Sequence, residues 1–140
     1  MITDRQVTDM IHPYGMTLIR KERFVGDREN ILVDVASTSG FFARFYRDRK
    51  VNECEISYGL ECRDWLSLTY IFEVEGVEDD LSAFKEAEFK LYVQHILPII
   101  HRHISVLKKY ASKNYFKKKD LEITEMNKRK FEEKYPGCIG

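Results

Sequence analysis

The chain has 140 residues, of which 44% are hydrophobic and 13% aromatic, with 23 basic side chains balancing 23 acidic ones. That length suits one domain burying roughly two-thirds of its unfolded surface, and the apolar content excludes global disorder. Zero net charge removes any overall field drawing the molecule to nucleic acid or membrane.

In chain order, Thr3 and Gln6 form a capping box, and Val7, Met10 and Ile11 recur at helical spacing until Pro13 and Gly15 end the helix. MTLIRKERF reads as an edge strand, with Met16, Leu18 and Phe24 on one face and Arg20 and Glu22 between them. A polar link, Gly26-Asp27-Arg28-Glu29-Asn30, follows.

Residues 31–75 hold ILVDVAS, FFARFYRDR, VNECEISYG and WLSLTYIFEVE, joined by short links of Ser, Gly, Asp or Asn. This predicts an antiparallel meander with one face buried. In WLSLTYIFEV, the strand reading points Leu66, Leu68, Tyr70, Phe72 and Val74 one way, opposite Trp65, Ser67, Thr69 and Glu73. Cys54, Ile56 and Tyr58 likewise oppose Glu53, Glu55 and Ser57. Phe41, Phe42, Phe45 and Tyr46 put aromatic surface on both sides of their strand, which therefore is covered on both faces or bears a partner site.

Asp79 or Asp80 is expected to cap the longest helix, running to about Ser112. Its stripe is Phe89, Val93, Ile96, Leu97, Ile100, Ile104 and Leu107, widened by Leu91, Tyr92, Ile99 and Val106. Pro98 would kink or split it, at a cost of ~3 kcal/mol. After a lysine-rich link, residues 120–135 read as a shorter terminal helix anchored by Leu121, Ile123, Met126, Phe131 and Tyr135. The expected fold is one α+β domain over residues 1–140. It has about five mainly antiparallel strands, an N-terminal helix, one long helix of residues 80–112 on one sheet face, and a short terminal helix.

No catalytic constellation is readable. His101 and His103 lie on different sides of a helix, and His95 and His101 are six apart, so neither pair matches the i, i+4 spacing of a helical zinc site. Cys54 belongs to a buried strand face, Cys62 to a turn beside Arg63, and Cys138 to the C-terminus. Three cysteines without CxxC spacing, and no apolar leader or membrane-length run, point to a reduced cytoplasmic protein without a membrane partner. Glu53 and Glu55 share a strand face about 7 Å apart, a separation compatible with a two-carboxylate mechanism and equally with an ordinary solvated face. No GxGxxG, GxxxxGK[ST], GxSxG or EF-hand pattern occurs. No metal and no cofactor are expected.

Charge is unevenly placed. Between positions 71 and 90 seven acids face two lysines, a net −5, whereas positions 101–119 hold seven bases and no acid. In the basic tract, residues 108–119, Tyr110, Tyr115 and Phe116 interleave with lysines, the pattern of single-strand nucleic-acid binding. A helix C-terminus there would account for the same lysines by dipole matching. The acids from Glu73 to Asp80 meet a helix N-terminus favourably, and they would also steer a basic protein partner.

A short helix ending in Pro13-Tyr14-Gly15, a strand ending in Arg47-Asp48-Arg49, a second running to Ile56, and Arg63-Asp64-Trp65 before an apolar segment resemble small bacterial proteins over residues 3–74. Some of these are similar to immunity proteins of polymorphic toxin and contact-dependent growth inhibition systems. The resemblance implies no catalytic residue. It implies a cytosolic protein that binds a cognate toxin domain and blocks its active site. The chain departs from the strongly acidic character of many nuclease immunity partners by being neutral. The partner surface expected from the residues combines Glu53, Glu55, Glu73, Glu75, Glu78 and Asp79 with Phe41 and Tyr46. The other class of function is a small nucleic-acid-binding factor using residues 108–119.

Overall fold

The computed structural model describes residues 2–24, 30–61 and 64–137. Helix α1, Asp4–Ile11, begins at the expected capping box: Gln6 N donates to Thr3 Oγ1 at 3.1 Å, and Thr3 N to Gln6 Oε1 at 2.8 Å. It buries Val7 and Ile11 and gives way to a 3₁₀ turn, His12–Tyr14. Gly15 follows with φ 71°, and a Cβ there would stand 2.9 Å from Thr38 Oγ1, so both conformation and space call for glycine.

Five strands form one antiparallel sheet in sequential order: β1 Met16–Arg23, β2 Ile31–Ser37, β3 Phe42–Asp48, β4 Val51–Ser57 and β5 Leu66–Ser67. Expected and observed faces part company in β1. The register shifts between Leu18 and Arg20, and this bulge swaps the faces of all that follows. Lys21 and Arg23 therefore stand on the core side, opposite Val33 and Ile31, while Arg20 and Glu22 stand outside. Phe24 lies beyond the strand and is half exposed.

The largest correction concerns residues 66–75. Only Leu66 and Ser67 pair with β4, and Leu68–Glu75 is helix α2. The segment satisfies both periods: Leu66, Leu68, Tyr70 and Phe72 alternate, but Leu68, Ile71 and Phe72 also fall at i, i+3 and i+4. The helix wins because it buries Leu68, Ile71 and Phe72 together and leaves Tyr70 outside. Gly76 (φ 68°) stops it, with Val77 N bonded back to Phe72 O.

The long helix of residues 80–112 is likewise corrected. Asp80 caps only a turn, its Oδ1 accepting from Ser82 N and Ala83 N, both at 3.1 Å. Residues 77–88 form an irregular strap, and helix α3 is Phe89–Arg102. Pro98 sits inside α3 without ending it. The break falls at His103, before α4, Ile104–Leu107, and a 3₁₀ turn, Lys108–Ala111. The longest element is α5, Lys113–Lys134, which takes in part of the expected lysine-rich link. Ser112 caps it, accepting from Tyr115 N at 3.4 Å.

Inward strand residues Val33, Val35, Phe45, Cys54 and Ile56 share one core with Ile11, Phe72, Val93, Ile96, Ile100, Tyr110 and Phe116 from the helical layer. Each fully buried aliphatic side chain there is worth roughly 1.5–3 kcal/mol of transfer free energy. The strap closes part of the sheet edge. Asn52, wholly buried, sends its backbone N–H to Lys85 O (2.7 Å) and its Nδ2 to Phe84 O (3.0 Å) and Ala87 O (2.8 Å). No helix among the described residues is long and apolar enough to cross a membrane.

Candidate functional site: the open sheet face and the acidic cleft

With the helical layer on one side of the sheet, alternation presents a second set of side chains on the other. Cross-strand register assembles them into rows: Glu22–Leu32–Tyr46–Glu53, then Arg20–Asp34–Arg44–Glu55–Ser67, then Thr17–Ala36–Phe42–Ser57. At the centre Asp34 is fully buried, an acid held between two cations. Arg44 Nε donates to Asp34 Oδ1 at 2.8 Å, and Arg20 Nη2 to Asp34 Oδ2 at 2.8 Å. The Arg44 guanidinium lies 4.1 Å from the Trp65 ring centroid. Its hydrogen bonding to Asp34, against the opposing effect of burial, raises its pKa. A buried carboxylate thus fixes an Arg–Trp plate on the outer surface, and stacking of this kind stabilises by roughly 0.5–2 kcal/mol.

Tyr46 and Glu55 flank the plate, both half-buried. Burial, then the charges of Glu55 and Glu53, pushes the Tyr46 hydroxyl up to about 12. Glu55 is raised by burial, with Arg44 acting against that shift. Glu53 pairs with Lys85 of the strap at 3.3 Å. Lys85 also lines a cleft of about 430 Å³ between α2 and the strap. Phe72, Val77 and Leu81 supply its apolar lining, and Glu73, Glu78, Asp79 and Asp80 its charge. Lys85 thereby joins the open face to the acidic turn.

The anticipated surface residues divide by availability. Glu53, Glu55 and Tyr46 stand on the open face, and Glu73, Glu78 and Asp79 around the cleft. Glu78 is exposed, and its side chain has no partner among the described residues. Glu73 is bound to Lys130. Asp79 accepts from Arg102 at 2.6 Å and lies 2.9 Å from His103 Nε2. The contact with His103, then with the Asp80 N–H and Arg102, holds its carboxyl below the ordinary 3.8 despite some burial.

Two anticipated residues are corrected. Phe41 is 0% exposed and belongs to the core, because it precedes β3 and turns inward from the Gly40 corner. Glu75 leaves the surface too: its carboxylate accepts from Tyr110 Oη (2.7 Å) and Tyr115 Oη (2.8 Å), with Lys119 Nζ at 3.8 Å. It cross-links α2, the 3₁₀ turn and α5.

The basic tract also looks inward. Tyr110 and Phe116 are completely buried, and the partly buried Tyr115 gives its hydroxyl to Glu75 and packs against Tyr110. Lys113, Lys117, Lys118 and Lys119 occupy the first two turns of α5, the positive end of its dipole, and not a helix C-terminus. Acidic partners compensate: Lys117 meets Asp64, and Lys119 meets Glu75 and Glu122.

The histidines diverge as their spacing implies. His95 Nε2 lies 2.7 Å from Asp80 O, His101 packs on Tyr14, and His103 faces Asp79. No group of three or more His, Cys, Asp or Glu that could hold a metal occurs among the described residues. Cys54 is buried, and desolvation pushes its thiol well up. Cys62, Arg63, Cys138 and most of the Gly26–Asn30 link lie outside the described residues.

Sequence reading missed Asp34, Asn52 and the Arg44–Trp65 contact. The available signal was a lone acid inside ILVDVAS and a lone amide inside VNECEIS, each a polar residue that burial obliges to find partners. No family model, no curated protein and no solved structure matches this chain.

Proposed function

We propose that the chain is a non-enzymatic protein-binding module, most concretely a cytosolic immunity protein that binds a cognate bacterial toxin domain and occludes its active site. The observation that carries this reading is the sheet face opposite the helical layer, with its Arg44–Trp65 plate and Tyr46, continuous through Lys85 with an acidic cleft. Arg, Trp and Tyr are the residue types that dominate binding energy when a partner desolvates them. Preorganisation by Asp34 reduces the side-chain entropy lost on docking. The surrounding Glu53, Glu55, Glu78 and Asp79 favour a partner with a basic rim, accelerating encounter at low salt.

The test is a search beside this chain's gene for a large secreted protein with a variable C-terminal domain, whose absence would count against the reading, followed by co-expression with that domain, scored by growth rescue and complex formation. Tyr46→Ala and Trp65→Ala should each weaken the complex at least tenfold, as expected for central anchors. Glu78→Lys should slow association and change its salt dependence with little effect on dissociation. Rescue and affinity unchanged in all three variants would place the partner elsewhere.

A further inference from the structure

Helix α5 carries a second apolar stripe that the core does not use. Its buried side chains, Phe116 and Ile123, stand seven residues apart on one side. Leu121, Phe131 and Tyr135 recur on another side and are 71%, 48% and 45% exposed. By helical geometry these three span about 80° of arc, centred about 120° away from Ile123. From Lys128 to Lys134 every residue is exposed, although Lys130 pairs with Glu73. A helix end without a packed face draws little stability from propensity alone.

Counted in heptads with Leu121 at a, the stripe runs through Thr124 (d), Lys128 (a), Phe131 (d) and Tyr135 (a). The charges at the flanking e and g positions select one occupant. Two parallel copies of α5 would set Asp120 against Glu125 and Lys113 against Lys118, like against like. Two antiparallel copies, with Leu121 of one beside Phe131 of the other, set Lys118 against Glu132 and Asp120 against Lys134. Two-fold symmetry makes each of those pairs twice. The one like pair, Glu125 with its own copy at the axis, has Lys128 of the other copy beside it. Lys118, Glu125, Lys128 and Glu132 form no ion pair within the chain among the described residues, so these charges are available.

We propose that the free stripe of α5 is the interface of a symmetric antiparallel dimer, its occupant being α5 of a second copy of this chain. The two Leu121–Phe131 layers are its apolar part, and polar Thr124 and Lys128 between them fix the register at a cost in stability. The dimer is therefore reversible and concentration-dependent. The interface belongs to the helical layer, and the proposal does not rest on the partner-binding reading.

The experiment is sedimentation velocity on the full chain, from micromolar to near-millimolar concentration, with reductant present so that cysteines cannot link copies. The apparent mass should rise towards twice the monomer's as concentration rises. Leu121→Asp, at a position already open to solvent, should keep the fold by circular dichroism and remain monomeric throughout. Lys118→Glu and Glu132→Lys, both at exposed positions, should each weaken the dimer about tenfold, because each turns two attractions into two repulsions. The double variant Lys118→Glu/Glu132→Lys exchanges the two charges and should restore wild-type association, an outcome that antiparallel pairing alone produces. A wild type that stays monomeric at every concentration would overturn the proposal. So would a dimer that survives Leu121→Asp, or one that the double variant fails to restore.

Discussion

Replacing Asn52 with alanine tests the strap most directly. The side chain makes three hydrogen bonds, to Phe84 O, Ala87 O and Arg47 Nη1, from a position with no solvent exposure. At about 1 kcal/mol net each, their loss amounts to ~3 kcal/mol, while Phe84 O keeps the Ala87 N–H and Ala87 O keeps Arg47. A domain this size has a total stability of roughly 5–15 kcal/mol, so the change is large. With an unfolding entropy of roughly 0.3 kcal/mol/K for 140 residues, it lowers Tm by about 10 °C. Urea unfolding followed by Trp65 fluorescence measures the global loss. Hydrogen exchange at the Asn52 amide, which donates to Lys85 O, reports release of the strap. A loss below about 0.5 kcal/mol, the level of an ordinary surface change, would refute the clip.

Tyr110→Phe removes the 2.7 Å bond to Glu75 and should cost roughly 1.5–3 kcal/mol in denaturant unfolding; a neutral result would deny Glu75 its cross-linking role. Asp79 has a folded pKa below its ordinary 3.8, so its stabilisation is present above that value and is lost as pH falls through the folded pKa. Wild type should therefore lose more stability than Asp79→Asn between pH 5 and pH 2, and parallel unfolding curves would contradict this. Glu55 runs the opposite way. Its raised pKa means its contribution is fully present below the ordinary 4.5 and is lost as pH rises through the folded value. Glu55→Gln should then unfold at higher urea than wild type at pH 7, with the difference shrinking at pH 4.

How legible each element was depended on how local its determinants are. The Thr3–Gln6 capping box is written within four residues, and α1 appears where it specifies. Strands β2, β3 and β4 were readable because one face is continuously buried, and Glu53 and Glu55 followed by parity onto the open face. Residues 66–75 were not, because their apolar positions fit both a two-residue and a 3.6-residue period; the choice rests on contacts with distant α5. The basic tract misled because charge dominates its composition. Its three aromatics, which fix α5 against α2 and β4's exit, are the structural message. The Arg20–Asp34–Arg44 cluster draws on three strands, and no local pattern encodes a register that spans them and shifts at a bulge.

Between residues 84 and 87 the strap is gripped through its carbonyls: Phe84, Lys85 and Ala87 each offer a backbone oxygen to Asn52, and Ala87 a second time to Arg47. Every amino acid carries that oxygen. The path of that stretch is thus encoded largely in the strand that grips it, whereas Asp79, Asp80 and Leu81 anchor the stretch before it. Its outward residues, Phe84, Glu86 and Glu88, can be rewritten while the shape persists. A lineage under pressure to meet changing surfaces would have, beside its acidic cleft, a stretch it could edit without refolding the protein.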